Sequence, residues 1–384
     1  MTAATLRLPG FVNAHSHAFQ RAMRGMVERV DADHPHDDFW TWREAMYAAA
    51  GRLDPDRNHR IALLAYREMA AAGFVAVGEF HYVHHHPDGA PYRPPNAMAL
   101  ATARAADEAG VDQVLLMAAY ERAGADRPPM PGQLRFCDPS VAAYLDRVEE
   151  LAEERPGRVG VAPHSVRAVS RPWLEEIGRY AAESAMVVHV HACEQRREIE
   201  ECLAEHGRRP IELLADTGLL GPRTTIVHAT HASDGELDLL AQAGASVCVC
   251  PTTEANLGDG YLPALRMFER GIRVCIGTDS NAVIDPVVEL REIEAVARRS
   301  AERRNVLVRP GEDGPAAYLL DVGSRFGAEA LGLDMPVAGV ELDLGHPGLA
   351  GVDPADAPAA LIFGGSAAAL RPVGQGRGPV PKEE

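Results

Sequence analysis

Lysine is nearly missing from this chain of 384 residues, since Lys382 near the C-terminus is the single example. Almost all of the positive charge is therefore carried by arginine. The shortage excludes enzymes that form a Schiff base with their substrate, because that chemistry needs a lysine amine. It also excludes a carbamylated lysine, which bridges the two ions of many two-metal hydrolases. Any metal site in this chain has to be built from other residue types.

Long apolar runs and closely spaced cysteine pairs are also missing. No run reaches the roughly 18 apolar residues of a membrane-spanning helix, and residues 1–8 lack the basic start and apolar core of a signal peptide. The six cysteines show no CxxC spacing, which predicts buried thiols in a reducing compartment rather than disulfides. We therefore expect a cytoplasmic protein that does not associate with a membrane.

Positive charge is scarce relative to negative charge. The 38 Lys and Arg residues and 55 Asp and Glu residues give a formal net charge of −17 at pH 7. A field of this sign repels nucleic acids and anionic membrane surfaces, so neither is expected as a partner. Hydrophobic residues make up 46% and charged residues 24% of the chain, which is typical of a globular protein with a sizeable core.

Short β-branched runs alternate with helical segments along the chain, and most of the runs end in polar residues. This alternation is typical of repeated βα units that build a parallel sheet. The pattern predicts eight strands, at 8–15, 74–82, 114–120, 159–164, 187–191, 225–228, 246–251 and 274–279.

Eight βα units over this length predict an α/β fold, the TIM (β/α)8 barrel, in which active-site residues lie at the C-terminal ends of the strands. A doubly wound open sheet is the alternative, and such a sheet gathers its ligands at a single crevice. It is disfavoured because no GxGxxG follows the first strand and because polar residues end nearly every strand. The barrel is therefore the predicted architecture.

The barrel is expected to occupy residues 1–335, with a long insertion at 18–53 after the first strand. This insertion contains Trp40 and Trp42, two of the three tryptophans. Connections of this length inside a compact domain are usually functional. We predict that the insertion folds over the mouth of the barrel as a lid or pocket wall.

The C-terminal part of the chain has a different composition. Residues 336–370 are rich in Gly and Pro, with weak strand patterns at 340–344 and 360–363. We interpret this segment as remnant strands outside the barrel. The tail at 371–384 is low in hydrophobic residues and is predicted to be disordered.

Histidine and acidic residues lie at the ends of several predicted strands. His15 and His17 form an HxH pair, and side chains alternate along an extended segment, so both imidazoles project from the same face. His191 and Asp279 end the fifth and eighth strands, which share one mouth with the first in a closed barrel. Three imidazoles and one carboxylate suit Zn²⁺ with a position left for water, and the same donors accept Fe²⁺.

A single histidine in an apolar strand is more often a core residue than a metal ligand. The metal prediction therefore depends on all four residues occurring together at strand ends. The end of the fourth strand holds His164 where many two-metal hydrolases have their carbamylated lysine. We expect one metal ion per subunit.

Four motifs resemble the mononuclear deaminase branch of the amidohydrolase superfamily. HxH alone is common, but the ordered set of motifs is specific, and the resemblance extends over about residues 9–333. It implies the barrel fold that the strand pattern predicts independently. The motifs are PGFVNAHSHAFQRAMRG (Pro9–Gly25), HVHACE (His189–Glu194), VHATHA (Val227–Ala232) and GTDS (Gly277–Ser280).

Four further motifs narrow the resemblance to the formimidoylglutamate deiminases. That family removes ammonia from N-formimino-L-glutamate in histidine degradation. The motifs are FWTWRE (Phe39–Glu44), EFHYVHH (Glu79–His85), HSVRAV (His164–Val169) and PTTEANLGDG (Pro251–Gly260).

The resemblance implies roles for individual residues. His15, His17, His191 and Asp279 match the family's zinc ligands. Glu194 and His228, together with Asp279, match the catalytic groups that handle protons. Planar guanidinium groups bind carboxylates through two hydrogen bonds, which suits a dicarboxylate substrate. The residues that match substrate-binding positions are Gln20, Arg43, Tyr82, His164 and Arg167.

The implied reaction is a zinc-dependent hydrolytic deimination. Water activated by zinc attacks the formimino carbon, Glu194 passes a proton to the departing nitrogen, ammonia leaves, and N-formyl-L-glutamate remains. One alternative is another mononuclear zinc aminohydrolase acting on a nucleobase, nucleoside or pterin; such a site needs aromatic stacking, and aromatic residues make up 5% of the chain. The other is a truncated, inactive zinc-binding homologue, which the presence of Glu194, His228 and Asp279 argues against.

In the amidohydrolase superfamily, segments from both ends of the chain build a β-sandwich beside the barrel. The first predicted strand begins within ten residues of Met1. The accessory sandwich is therefore expected to be largely missing, with no N-terminal strands. A second copy of the chain would cover the surface that remains, so we expect a homodimer.

Overall fold

The structure, a computed structural model, describes residues 5–30, 37–334 and 338–373. Its strands form an eight-stranded parallel sheet and a small three-stranded sheet. The strands are β1 (Thr5–Pro9), β2 (Phe11–Ser16), β3 (Phe74–His81), β4 (Asp112–Ala119), β5 (Val159–Pro163), β6 (Val188–Ala192), β7 (Thr224–His228), β8 (Ser246–Val249), β9 (Arg273–Ile276), β10 (Gly339–Asp343) and β11 (Leu370–Pro372).

The eight strands β2 to β9 pair in chain order, each parallel to the next. The sheet closes where β2 meets the segment after β9. The His17 amide donates to the Asp279 carbonyl over 2.9 Å, and the Asp279 amide donates to the His15 carbonyl over 3.0 Å. The predicted TIM barrel is confirmed, and the open doubly wound sheet is excluded.

Helices cover the outside of the barrel between the strands. The apolar side chains of the strands and the inner faces of these helices form one core, and every residue of β2 is buried. The helices are α1 (Phe39–Ala50), α2 (Pro55–Ala71), α3 (Ala97–Ala109), α4 (Val141–Glu154), α5 (Arg171–Glu183), α6 (Arg196–His206), α7 (Pro210–Asp216), α8 (Asp234–Ala243), α9 (Pro251–Leu257), α10 (Ala264–Glu269), α11 (Pro286–Ala301), α12 (Ala316–Gly323), α13 (Arg325–Ala330) and α14 (Ala357–Gly364).

Local sequence signals explain where several of these helices begin. Asp54 precedes α2, accepts a hydrogen bond from the Arg57 amide over 2.7 Å, and is followed by Pro55 at the first helical position. Ser233 and Glu236 form a capping box at the start of α8. Among the described residues, no helix combines the length and apolar character needed to cross a membrane.

The insertion after the first barrel strand forms a wall of the barrel mouth. It contains a 3₁₀ helix at Ala18–Met23 and the helix α1, which Asp38 caps through hydrogen bonds from the amides of Trp40 and Thr41. Residues 31–36 of the insertion lie outside the described residues. The prediction that this segment covers the mouth agrees with the position of α1, whose side chains line the central pocket.

Buried Arg135 holds the C-terminal end of α1 in place. Its guanidinium donates to the carbonyl of Ala50, to the carbonyl of Leu53 over 3.0 Å, and to the carbonyl of His85 over 3.0 Å. Arg135 belongs to a second 3₁₀ helix, Pro131–Phe136. One side chain therefore ties α1 to the loops that follow β3 and β4.

The small sheet lies beside the barrel and has the order β1–β10–β11 with antiparallel pairing. Its three strands confirm that the accessory sandwich is largely missing. The expectation that it has no N-terminal strand is wrong, because Thr5–Pro9 pairs with Gly339–Asp343. The single predicted strand at 8–15 is in fact two strands, separated at Gly10, whose amide donates to the Ala338 carbonyl.

Two further expectations for the C-terminal region need correction. The predicted strand at 360–363 lies in α14, where Leu361 and Ile362 are buried against neighbouring helices. A short apolar run fits a buried strand or a buried helix equally well, so the pattern could not distinguish them. In the tail predicted to be disordered, Arg371 and Pro372 belong to β11, and residues 374–384 lie outside the described residues.

The closure of the barrel depends on a buried pair of polar residues. Asn13 donates to the Thr278 hydroxyl over 2.6 Å and accepts from the Thr278 amide over 3.0 Å. We predict that Asn13→Ala lowers the free energy of unfolding by about 1–3 kcal/mol, because the buried Thr278 amide loses its acceptor. Urea unfolding followed by circular dichroism measures this change. The exposed Asn256→Ala is the control, and an equal effect of both substitutions would contradict the prediction.

Candidate metal centre and substrate pocket

Four predicted metal ligands meet at the C-terminal end of the barrel. His15 belongs to β2, His17 follows it, His191 belongs to β6, and Asp279 follows β9. One nitrogen or oxygen atom from each lies within 4.8 Å of the corresponding atom of every other. The Asp279 Oδ1 atom is 3.5 Å from Nε2 of His15 and 3.3 Å from Nε2 of His17. The Nε2 atoms of His15 and His191 are 3.1 Å apart.

The hydrogen bonds behind these imidazoles decide which nitrogen faces the cluster. His17 Nδ1 lies 2.9 Å from the Phe80 carbonyl, and His191 Nδ1 lies 2.9 Å from the His164 carbonyl. A carbonyl accepts only, so both Nδ1 atoms carry hydrogen and both Nε2 atoms present lone pairs. The lone pair of His17 then faces the Asp279 carboxylate without a proton between them. A cation at this point removes that repulsion, so the donor set fits a divalent metal ion.

Burial keeps these groups in the protonation states that bind metal. Burial lowers the pKa of His15 to about 3 and also lowers the pKa values of His17 and His191, which leaves the imidazoles neutral. Burial works against ionisation of Asp279, but its contacts with the imidazoles, first of all with His15, hold its pKa below the ordinary value. Three neutral imidazoles and one carboxylate suit Zn²⁺ and Fe²⁺ alike.

Glycine is required where β9 approaches the first ligand. A Cβ atom on Gly277 would lie 2.7 Å from the Cβ atom of His15 and 2.9 Å from Sγ of Cys250. Nearby, His228 and Asp279 adopt positive φ angles of 73° and 44°. Such angles are uncommon for residues with a side chain and tend to occur at functional sites. The chain is bent at two points to aim these side chains into the mouth.

The three residues predicted to handle protons lie next to the cluster. His228 Nε2 is 3.7 Å from Glu194 Oε1 and 3.9 Å from Asp279 Oδ2. Its Nδ1 is 3.2 Å from Oε1 of Glu254, which also accepts from the Cys250 amide. Burial alone would lower the pKa of His228, but the carboxylates of Glu194 and Glu254 outweigh it and raise that pKa well above its ordinary value.

An open pocket of about 740 Å³ extends from the metal ligands to α1. All five predicted substrate-binding residues line it: Gln20, Arg43, Tyr82, His164 and Arg167. Gln20 Nε2 donates to the Tyr82 hydroxyl over 2.9 Å. The structure therefore brings together every residue that the sequence singled out for the site.

The two arginines give the pocket positive character within an acidic protein. The Nε and Nη1 atoms of Arg43 are buried, and among the described residues they have no hydrogen-bond partner. The Arg43 guanidinium stacks at 4.5 Å on Trp40, whose ring also contacts Arg197 at 4.4 Å. Burial lowers the pKa of Arg43, and the nearby Arg167 lowers it further. An anionic ligand between these guanidinium groups would accept hydrogen bonds from Arg43 and offset the repulsion between the two positive charges.

Sequence reasoning did not assign a role to Glu254, Gln133 or Tyr120. Glu254 lies just after β8, so the rule that site residues follow barrel strands points to this position, but the sequence does not determine what its side chain does. Tyr120 likewise follows β4, but it ends an apolar run, and this pattern is typical of an aromatic residue in the core. Gln133 carries no local signal, because its place beside two tyrosine hydroxyls arises from tertiary contacts.

Comparison with known families agrees with this geometry. The model of the Amidohydrolase family matches residues 6–340. The chain belongs to the amidohydrolase family. This confirms the resemblance to the superfamily that the motifs indicated.

Relatives with assigned names include several deaminases and one deiminase. The chain is 41% identical over 329 residues to formimidoylglutamate deiminase of Pseudomonas aeruginosa, and the match covers 85% of this chain and 72% of that protein. It is 30% identical over 330 residues to 5-methylthioadenosine/S-adenosylhomocysteine deaminase of Nitratidesulfovibrio vulgaris, covering 85% and 67%. The chain is thus a homologue of formimidoylglutamate deiminase, as its motifs indicated.

Solved structures share the fold of this amidohydrolase. A crystal structure of an amidohydrolase from Brucella melitensis is 35% identical, with a TM-score of 0.85, and the match covers 95% of this chain and 84% of that chain. A zinc-bound adenosine deaminase from Xanthomonas campestris is 24% identical, with a TM-score of 0.78 and coverage of 95% and 78%. At that identity, the second match supports the fold alone.

Metal analysis tests the ligand cluster directly. We predict about one divalent ion per chain in the purified protein, because one set of four donors converges within residues 5–30, 37–334 and 338–373. His191→Ala should lower the metal content to a small fraction of that value, since three protein ligands without His191 hold the ion weakly. Inductively coupled plasma mass spectrometry measures both proteins. Unchanged metal content in the variant would contradict the assignment, and His189→Ala, altered two residues away in the same strand, is the matched control.

Glu254 is expected to orient His228 without touching the metal ligands. Glu254→Gln should leave the metal content unchanged and lower kcat by about 10- to 100-fold, as loss of such a supporting hydrogen bond typically does. The amide can still contact His228, but it withdraws the negative charge that favours the imidazolium. Steady-state kinetics and metal analysis of the same preparation check this. A wild-type kcat would remove Glu254 from the site.

Proposed function

We propose that this amidohydrolase catalyses the hydrolytic deimination of N-formimino-L-glutamate to N-formyl-L-glutamate and ammonia. One observation carries the proposal: a single pocket joins the His15, His17, His191 and Asp279 cluster to the guanidinium groups of Arg43 and Arg167. The substrate has one amidine, which is the reacting group, and two carboxylates, which arginines recognise through paired hydrogen bonds. The name of the Pseudomonas aeruginosa relative supports the same substrate.

A metal ion belongs to this proposal. His15, His17, His191 and Asp279 would hold one Zn²⁺ per subunit, and Fe²⁺ is compatible with the same donors. When bound, such an ion supplies Lewis acidity that lowers the pKa of water towards about 7. The residues around it then have to bind the substrate, hold it in position and transfer protons.

The proton-handling residues occupy complementary positions. Asp279 presents Oδ1 to the imidazoles and Oδ2 to His228, so Oδ2 is suited to accept a proton from the attacking water. The charged form of His228, which its carboxylate neighbours favour, can stabilise the negative charge that develops on the attacking oxygen. Burial raises the pKa of Glu194 to about 7, so its carboxyl group can hold a proton near neutral pH and release it. The C=N double bond opens as the water oxygen bonds to the formimino carbon, and Glu194 then gives its proton to the terminal nitrogen. The bond from carbon to that nitrogen breaks, ammonia leaves, and the added hydroxyl group returns a proton to the Glu194 carboxylate as it becomes the formyl oxygen.

A second candidate is a deaminase of nucleosides or related rings, and one observation favours it. Seven aromatic residues line the pocket, so the low overall aromatic content does not argue against stacking as the composition suggested. They are Phe39, Trp40, Trp42, Tyr47, Tyr82, Tyr120 and Phe136. The paired arginines still favour a dicarboxylate, because a neutral nucleoside leaves both guanidinium groups without an anionic partner.

The proposal includes a role in histidine degradation, a cytoplasmic location and a homodimeric state. Its partners are small dicarboxylates, and nucleic acids and membranes are excluded. The short distances from His228 to Glu194 and to Asp279 support the active enzyme over the inactive zinc-binding homologue.

Ammonia release decides between these functions. We predict turnover of N-formimino-L-glutamate and none of guanine or 5′-methylthioadenosine, measured by a coupled glutamate dehydrogenase assay. Glu194→Gln should reduce kcat by at least about 100-fold while metal content stays at the wild-type value, because the amide cannot transfer a proton. Glu200→Gln, at an exposed position on α6, serves as the matched control. Preference for the nucleoside would reverse the assignment, and a nearly wild-type rate in Glu194→Gln would remove this residue from the proton path.

A further inference from the structure

A buried glutamine organises two tyrosine hydroxyls at the wall of the pocket. Gln133 is fully buried, and its Oε1 accepts from the Met130 amide over 2.9 Å. Because a backbone amide donates only, this bond fixes the orientation of the side-chain amide. The NH₂ group therefore points the other way, where it donates to the hydroxyl oxygens of Tyr47 over 3.0 Å and Tyr120 over 2.9 Å.

Both phenol oxygens act as acceptors in these bonds. Tyr120 also accepts from Nη1 of Arg167 at 3.4 Å. The two hydroxyls also contact each other, and each can rotate its own proton towards a stronger acceptor. Among the described residues, neither hydroxyl donates to a carboxylate or a backbone carbonyl, so this part of the pocket has hydroxyl donors and no anionic acceptor.

The neighbouring guanidinium groups add further donors. Arg43 lies beside Tyr47, with its Cζ atom 5.6 Å from the centre of the ring, and its buried Nε and Nη1 atoms have no partner in the described part of the chain. Arg43, Tyr47, Tyr120 and Arg167 all line the same pocket. A buried donor without an acceptor is unfavourable, so Arg43 needs an anionic oxygen, and the donors of the other three side chains lie beside it in the same pocket. Arg167 also donates to the Ala123 carbonyl at 3.4 Å.

We propose that the hydroxyl groups of Tyr47 and Tyr120, oriented by Gln133, bind the γ-carboxylate of the substrate together with Arg43 and Arg167 and so select a substrate of glutamate length. Tyr47 and Tyr120 are specificity-determining residues, and Gln133 is a positioning residue. This inference rests on the proposed function for the identity of the substrate. It adds two neutral hydroxyl donors, from Tyr47 and Tyr120, to the carboxylate site that the proposed function builds from Arg43 and Arg167.

The γ-carboxylate is assigned from the order of contacts leading away from the metal ligands. Tyr82 touches a ligand directly, because its ring centre is 5.0 Å from that of His17. Tyr120 is one residue further out, since it packs at 4.8 Å against His164, which in turn packs at 5.1 Å against His191. In the substrate, the α-carboxylate is close to the formimino group and the γ-carboxylate is far from it. The farther site therefore matches the γ-carboxylate.

The test compares substrates that differ in one carboxylate. N-formimino-L-norvaline replaces the γ-carboxylate with a methyl group, and N-formimino-4-aminobutyrate lacks the α-carboxylate. The double variant Tyr47→Phe/Tyr120→Phe should lower kcat/KM for N-formimino-L-glutamate and for the aminobutyrate by about tenfold for each hydroxyl, mainly through KM. It should change kcat/KM for the norvaline compound by less than about threefold.

Two other results of this comparison would overturn the proposal. An equal loss with the norvaline compound would mean that the hydroxyls support the packing of the pocket rather than bind a carboxylate. A loss of kcat/KM with N-formimino-L-norvaline and none with N-formimino-4-aminobutyrate would place the hydroxyls at the α-carboxylate. Tyr180→Phe, which removes a half-buried hydroxyl on α5 outside the pocket, is the matched control.

Gln133→Glu tests the positioning role. A carboxylate at this place accepts the two phenolic protons instead of donating to the oxygens, so it draws the protons away from the substrate. The ratio of kcat/KM for the glutamate compound over the norvaline compound should fall at least tenfold. Should this variant fail to fold, Gln133→Met keeps the size of the side chain without its donors, and the same ratio should fall. An unchanged ratio would overturn the role of Gln133.

Calorimetric titration separates this inference from the proposed function. Wild-type protein should bind glutarate more tightly than butyrate, and Tyr47→Phe/Tyr120→Phe should weaken glutarate binding by at least tenfold while butyrate binding changes little. If the wild type releases no ammonia from N-formimino-L-glutamate, the proposed function fails, and loss of glutarate binding in the double variant still supports the dicarboxylate site. Unchanged glutarate binding in that variant overturns the inference whatever the assay shows.

Discussion

The site depends on the hydrogen bonds that close the barrel between β2 and the segment after β9. The amides and carbonyls of His15, His17 and Asp279 pair with each other, so the backbone itself brings three of the four metal ligands together. Asn13 and Thr278, 265 positions apart in sequence, reinforce the same junction from inside the core. A closed barrel has no edge at which these strands could separate. The ligands consequently meet with little freedom of movement, which is what selective metal binding requires.

Burial and neighbouring charges then set a different protonation state for each group of side chains at the mouth of the barrel. The imidazoles of the ligand cluster are neutral, whereas His228 is surrounded by Glu194, Glu254 and Asp279 and favours its charged form. Desolvation raises the pKa of Asp259, which follows the helix that carries Glu254, to about 9, and the charge of Glu194 adds to the effect. On the other side, the buried Nε and Nη1 donors of Arg43 have no acceptor among the described residues, and Arg167 lines the same pocket. A substrate that carries a cationic amidine at one end and carboxylates at the other would complement both sides of this pocket.

Much of this arrangement could be predicted from the sequence. The eight strands, their polar ends and the ordered motifs gave the barrel and the ligand set, because alternation along a strand and the shared mouth of a barrel are general rules. The helix at Ala357–Gly364 was predicted as a strand, since a short apolar run has no periodicity that separates the two. The pairing of Thr5–Pro9 with Gly339–Asp343 was missed because contacts between distant segments leave no local pattern. Gln133 was missed for the same reason.

The amino-acid sequence by itself determined the chemistry available: imidazole and carboxylate ligands without lysine, arginines for anions, and acidic residues for proton transfer. These follow from residue type and spacing, which act locally. The tertiary structure alone decided which hydrogen-bond donors remain without partners and which imidazole nitrogen faces the cluster of metal ligands. It also decided which carboxyl group can hold a proton near neutral pH. Those properties depend on burial and on hydrogen bonds between residues far apart in sequence, and desolvation exists only once the chain has closed around them.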